Sequence, residues 1–365
     1  MTNTPSRPNL AGPSNVDELL KRAARDVEGG WLPACQVAVA RWGELLAFQT
    51  FGDATNDTRF CVFSATKPLV ASAIWLLIGD GALQVHRPVA HYVQAFNRDG
   101  LQDVTVSQIL LHTAGLPHAP MWPDEGADRA RRLQRMSRWE LEWEPGSRFE
   151  YHALSAHWVL AELLDALTDE DYRDVIEQRI CAPIGLPRLL GRPVGDQPEV
   201  APMTWVGAAQ GGEGAGDLSF RFDDPEVIAA GVPGGGGVAT AEEIVRFYEA
   251  LLDDRTGIWD PDTRADGTAH IRCRFPDPDL GVPVNRTLGL VVAGDDGLHT
   301  LRYGAFAEGC SPRAFGHAGA HVQVAWADPA TGISFCYLTN GLDSDTMREG
   351  MRGLSLSNIA ARLTS

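Results

Sequence analysis

Near the N-terminus apolar residues recur at helical spacing. Val16, Leu19, Leu20 and Ala23 share one face, which predicts a helix over 16–27. Two strand-like runs follow at 36–42 and 45–51, separated by a short turn at Gly43. The next run is almost wholly apolar, from Pro68 to Ile78, and predicts a buried helix that opens near Ser64 and stops at Gly79-Asp80-Gly81.

Beyond residue 96 the pattern changes. Helical spacing at 107–112, 127–139, 155–167 and 171–180 alternates with Pro- and Gly-rich loops, including a glycine-rich stretch at 208–217. Pro233-Gly234-Gly235-Gly236-Gly237 precedes Thr240, which with Glu243 forms a capping box for a helix reaching Leu252. Strand-like runs return at 287–292, 316–327 and 333–338, the last two flanking the turn Asp328-Pro329-Ala330-Thr331-Gly332. A final helix is expected over 345–363.

Strands at both ends and helices between them predict an α+β fold. One antiparallel sheet, flanked by helices, is built from both ends of the chain, with a mostly helical insertion between them. The expected division is a discontinuous α/β sandwich domain from 16–95 and 226–365, a helical inserted domain over 96–225, and a flexible leader over 1–15.

Bulk composition narrows the function classes. The chain has 365 residues, 44% of them hydrophobic, enough for a sizeable core. A net charge of −17 argues against nucleic acid or an anionic membrane as partner. The longest apolar run, 70–78, is too short to span a bilayer. The polar start carries no secretory signal, and the six scattered cysteines read as reduced, so a cytoplasmic location is expected. Nothing in the pattern bears on oligomeric state.

The candidate chemistry begins with lysine usage. The chain keeps two lysines against 29 arginines, and Lys67 follows Ser64 by three residues. Arginine stays protonated, whereas a buried or crowded lysine can lose its proton. On a helix Ser64 and Lys67 share a face, so the amine can reach the hydroxyl, and the helix start favours a developing anion. Taken alone, the pair reads more readily as a serine cap followed by a snorkelling surface lysine. Two further segments add weight. Trp143-Glu144-Pro145-Gly146 leads through an exposed turn to Tyr151, a possible base or proton relay. Arg313-Ala314-Phe315-Gly316-His317-Ala318-Gly319-Ala320 places a histidine among small residues that let a substrate approach.

With Ser64-x-x-Lys67, Tyr151 and His317-x-Gly319 in this order, the chain resembles the serine β-lactamase and penicillin-binding-protein-like superfamily, most closely its class C and family VIII carboxylesterase branch. Leu110-Leu111-His112-Thr113-Ala114-Gly115-Leu116-Pro117 and Gly235-Gly236-Gly237-Val238-Ala239-Thr240-Ala241 support the resemblance, which spans about residues 30–340. It implies a serine hydrolase with Ser64 as nucleophile and Lys67 and Tyr151 sharing the proton transfers. It also implies His317 as the third-motif residue and an oxyanion hole from the Ser64 and Ala320 amides.

Two positions depart from that pattern. The usual Tyr-x-Asn is Tyr151-His152-Ala153, and a histidine replaces the lysine of Lys-Thr-Gly. Both shift the expected substrate from β-lactams and peptides toward small uncharged esters, with small-molecule amides as the related class. His152, Trp122 and Gly319 are candidate pocket residues. Trp139, Trp143 and Trp205 also fall in the helical part. His112 is expected to be a structural hydrogen-bonder. The His152/His157 pair, taken as lying on one helix, and the His317/His321 pair, taken as about 13 Å apart along a strand, do not make a metal site. No cofactor is implied. Rival readings on the same fold are an acyltransferase, a D-amino-acid peptidase or amidase, a weak β-lactamase, and a catalytically silent binding protein.

Overall fold

A computed structural model describes residues 13–207, 220–302 and 306–363. The glycine-rich stretch expected to be mobile at 208–217 lies outside the described residues, as does most of the expected leader.

Ten strands are present among the described residues. β1 is Ala34–Arg41, β2 Glu44–Gly52, β3 Phe60–Cys61, β4 Thr204–Val206 and β5 Val238–Ala239. The C-terminal set is β6 Val291–Val292, β7 Phe315–Gly316, β8 Val324–Asp328, β9 Ile333–Thr339 and β10 Gly341–Asp343. Six of them form one sheet in the order β2-β1-β9-β8-β7-β6, every pair antiparallel. Sequence-distant β1 and β9 lie side by side within it, so the sheet does join the two ends of the chain. β3 pairs with β5 and β10 with β4 in two small ribbons.

The central strands are buried on both faces, and their alternation feeds two cores. From β1, Ala34, Ala38 and Ala40 enter the large core, while Cys35, Val37 and Val39 enter the other. From β8, Ala325 and Ala327 face the first, and Val324 and Trp326 the second. Alanines on the first face let helix Ala241–Leu252 lie close to the sheet. The second core is closed by the terminal helices Pro13–Glu28 and Thr346–Ala361, through Leu19, Ala23, Leu356 and Ala360. Buried Arg352 clamps the terminal helices by bonding Asp26 at 2.9 Å and Asp343 at 3.1 Å. All six cysteines are free. No helix among the described residues is long and apolar enough to cross a membrane.

Several local expectations hold and several do not. The Thr240/Glu243 capping box is present, and the helix it starts ends at Leu252. The run at 316–327 is broken. After β7 the chain makes a tight turn in which His321 and Val322 have φ +55° and +63°, and Gly319 N–H donates to Gln323 O at 2.7 Å. His321 therefore does not continue a strand from His317. Buried Gln323 holds the turn against β9 by exchanging two hydrogen bonds with Thr339. The run at 287–292 keeps only β6, because Thr287 closes a turn onto Leu290 through Gly289 at φ +111°. His152 is not helical, since the helix carrying His157 begins at Ser155.

Helix Lys67–Gly79 is apolar all round and almost wholly buried, packed against helices Ser155–Thr168 and Pro261–Ala269. Its rotation is set by indoles: Trp75 Nε1 donates to Leu288 O at 2.8 Å, and Trp259 Nε1 donates to Ser72 O at 2.9 Å. Gly267 lies under Trp75, where an added Cβ would fall 2.4 Å from the ring. Helix propensity alone favours Gly267→Ala by about 1 kcal/mol. The pinned indole makes overpacking win, so the substitution is expected to destabilise the fold by about 1–3 kcal/mol, read from the urea midpoint.

Candidate active site

Ser64 sits on a 3₁₀ turn, Phe63–Thr66, rather than on the helix itself, and Lys67 is the first residue of the helix that follows. Phe63 has φ +45°, an uncommon conformation for a bulky residue. It is held by ring contacts with Phe222 and His321, at 5.4 and 5.7 Å between centroids. Thr66 Oγ1 donates to Phe63 O at 2.6 Å and accepts from Gly237 N–H at 2.9 Å, while Val62 N–H donates to Gly237 O at 3.0 Å. The turn that presents the hydroxyl is thus tied to the glycine run. At Gly237 a Cβ would stand 2.7 Å from Thr66 Oγ1, so only glycine lets the two segments meet.

Lys67 is fully buried. Its Nζ lies 3.2 Å from Ser64 Oγ and donates to Ala153 O at 2.7 Å and Gly234 O at 2.6 Å. Burial pushes its pKa well below the usual lysine range of 10.5, and the positive charge of Arg286 pushes it further. A neutral amine has two hydrogens and one lone pair. Both carbonyls can only accept, so they take the two hydrogens and leave the lone pair facing the Ser64 hydroxyl. The departure at Ala153 is met by its own backbone, since the Ala153 carbonyl binds the amine where an asparagine side chain is absent.

Tyr151 packs over the same amine, with Lys67 Nζ 4.9 Å from its ring centroid. Its ring lies 4.9 Å from that of His112 and 5.9 Å from that of His317. His317 follows β7, and its backbone N–H donates to Tyr248 OH at 3.1 Å. Its Nδ1 is 2.8 Å from Ala318 O, an acceptor, so Nδ1 carries the hydrogen and Nε2 is the acceptor. Burial, then the Arg286 charge, pushes its pKa well down, so the ring is neutral. Gly319 lies against the strand leading to Ser64, where an added Cβ would be 2.2 Å from Val62 O. Ala320, next in the chain, is exposed at the start of the turn.

His152 is corrected from pocket residue to scaffold. It is fully buried, with Nδ1 bonded to Glu150 O at 2.6 Å and Nε2 accepting from Leu116 N–H at 2.9 Å. Both nitrogens are spent on backbone, and burial lowers its pKa to about 4. His112 is the structural hydrogen-bonder expected: its Nδ1 accepts from His152 N–H at 3.0 Å. His157, on the adjoining helix, is also buried, and desolvation keeps it neutral.

Trp122 is 44% exposed and lines a cavity of about 220 Å³ with Met121, Ala153, Leu154 and Phe220. This cavity adjoins the residue whose carbonyl holds Lys67. Trp139 is core, Trp143 stands edge-on to His152, and Trp205 packs on His321. Arg286 went unrecognised in the sequence. It is 1% exposed, with its guanidinium 5.1 Å from the Tyr151 centroid and Nη1 3.4 Å from His317 Nε2. One arginine among 29 offers no sequence signal of its own.

A family profile described as Beta-lactamase matches residues 19–357. The chain is 29% identical over 318 residues to the esterase/beta-lactamase LipL of Mycobacterium tuberculosis, covering 78% of this chain and 70% of that protein. It is 27% identical over 390 residues to esterase EstB of Burkholderia gladioli, covering 93% and 92%. A solved family VIII carboxylesterase superposes with a TM-score of 0.77 at 22% identity over 98% of this chain and 99% of that one, which shows the shared fold.

A buried neutral lysine leaves a thermodynamic mark. Its folded pKa lies below its unfolded value, so between those two values the unfolded chain binds more protons and stability rises with pH. Wild-type protein is therefore expected to gain stability relative to Lys67→Met as the pH rises from 7 toward 10, in urea midpoints taken at each pH. A difference that stays flat across that window would mean that Lys67 is charged in the native state.

Proposed function

The chain belongs to the beta-lactamase family, and we propose that within it the protein is a serine hydrolase acting as a carboxylesterase on small and medium uncharged esters. The observation that carries this reading is the Lys67 amine. It lies 3.2 Å from Ser64 Oγ with its hydrogens engaged by two carbonyls. EstB is named an esterase and LipL an esterase/beta-lactamase, which supports the hydrolase class.

In this mechanism Ser64 Oγ attacks the ester carbonyl carbon and its proton passes to Lys67 Nζ. The carbonyl oxygen takes the negative charge and is met by the Ser64 and Ala320 amides. Collapse breaks the bond to the alcohol oxygen, which receives the proton from Lys67 through Tyr151. Water then attacks the acyl-serine and gives its proton to the same pair, which returns it to Ser64 Oγ as the acyl–Oγ bond breaks and the acid leaves. His317 presents a neutral ring, and residue 153 offers no side-chain amide, so an anionic or peptide substrate finds little to hold it. The apolar cavity beside Ala153 suits an acyl chain, with Trp122 as its wall.

Ser64→Ala is expected to abolish p-nitrophenyl ester turnover and fluorophosphonate labelling. Turnover that survives it would sink the mechanism. Lys67→Arg keeps a charge but has no accessible neutral form, and should lose at least about 100-fold in kcat. A chromogenic cephalosporin is expected to turn over more slowly than the best ester; the reverse order would make the protein a β-lactamase first. Trp122→Ala should favour longer acyl chains, raising the kcat/KM ratio of long to short esters by about 3–10-fold.

A further inference from the structure

Arg286 lies outside every motif that marks this site, yet it is packed into the centre of it. It is paired with Cys273 through reciprocal backbone hydrogen bonds of 3.0 and 3.1 Å. Its side chain is 1% exposed. The guanidinium stacks between two rings, 5.4 Å from the Phe149 centroid and 5.1 Å from the Tyr151 centroid. Its Nη1 reaches His317 Nε2 at 3.4 Å. These contacts come from the chain around 149–151 and from the segment that follows β7, so one planar cation touches both groups that flank Lys67.

We propose that Arg286 is a positioning residue of the active site: it supplies the fixed positive charge that the third-motif histidine lacks and holds Tyr151 and His317 in register with Lys67. This rests on the catalytic roles proposed above for Ser64, Lys67 and Tyr151. The guanidinium only donates, and Ala318 O only accepts, so His317 is gripped at both nitrogens in one tautomer. A proton arriving at Nε2 would point directly at Nη1, which keeps the ring neutral by geometry. The guanidinium is buried and in contact with His317 and Tyr151, so it acts through them rather than on a substrate carboxylate.

Around this charge stand Lys67, Tyr151, His112, His152, His157, His317, Tyr248 and Cys273, with Asp277 and Arg302 sharing a small cavity on its other side. The influence of Arg286 on Lys67, His112 and His317 runs one way, against protonation. Removing the charge therefore makes Lys67 easier to protonate, and the acid limb of the rate profile moves to higher pH.

The experiment is the pH dependence of kcat/KM for p-nitrophenyl butyrate in wild type, Arg286→Met and Arg286→Lys, with Ser64→Ala alongside. Arg286→Met is expected to move the acid limb up by about one pH unit, the scale of a partly screened charge several ångströms away. Activity near pH 7 should fall by up to about 5-fold, the loss a one-unit shift gives when that pH lies near the limb, and much of it should return as the pH is raised, which a general loss of structure would not allow. Arg286→Lys keeps the charge without the planar fork, so its acid limb should stay within a few tenths of wild type while kcat falls. A folded Arg286→Met enzyme with the wild-type acid limb would overturn the proposal. If that variant does not fold, Arg286→Lys decides: a limb displaced upward by a full unit despite the retained charge would overturn it, and an unmoved limb with lowered kcat supports it. Ester turnover that persists in Ser64→Ala would instead defeat the underlying catalytic reading, so the two failures are distinguishable.

Discussion

Hiding an amine from water is expensive, and the architecture around residue 67 exists to make that tolerable. An isolated ammonium in an apolar interior would cost many kcal/mol, so the group either finds a carboxylate or gives up its proton. No salt bridge to Lys67 occurs among the described residues; two carbonyl oxygens and a hydroxyl meet it instead. That choice of partners suits the amine to the role of base proposed for it. A carboxylate would have held it charged and inert toward Ser64. The surroundings follow suit: His112, His152, His157 and His317 are all buried and all held on the neutral side, each first by desolvation.

The sheet and its two cores serve this arrangement by rigidity. β1, β8 and β9 send alternate residues to opposite faces, so the large helical part and the terminal helices pack on the same strands. Helix Lys67–Gly79 lies wholly within the first core, fixed by Trp75 and Trp259. A buried helix with pinned indoles cannot roll, and the amine at its first turn is placed with it. The glycine run then brings a backbone within reach of that amine, where any side chain would hold it off.

Much of this was legible in the amino-acid sequence, for identifiable reasons. The α+β layout followed from where strand-like and helical patterns segregate. Ser64 and Lys67 stood out because lysine is so scarce that its retention is a signal. Tyr151 and His317 were found through their order and context. What escaped was set by contacts between remote segments. Arg286 is one arginine among 29, and only folding puts its guanidinium beside Tyr151 and His317. His152 looked like a pocket residue because it follows Tyr151, but its two nitrogens meet the backbones of Glu150 and Leu116. The break between β7 and β8 was invisible because its left-handed positions are His321 and Val322, without the glycine or asparagine that usually announces such a turn.

The Lys67 amine touches carbonyls 86 and 167 residues further along the chain. Contacts at that separation close long loops, whose entropy must be spent before the contact returns anything. An intermediate with the sheet formed but either loop still open would carry Ser64 beside an ordinary solvated ammonium, unable to accept its proton. In the mechanism proposed above, hydrolytic competence therefore depends on both long-range contacts being made. On that reading the chemistry of Ser64 is a property of the assembled fold and not of the local Ser64-x-x-Lys67 segment.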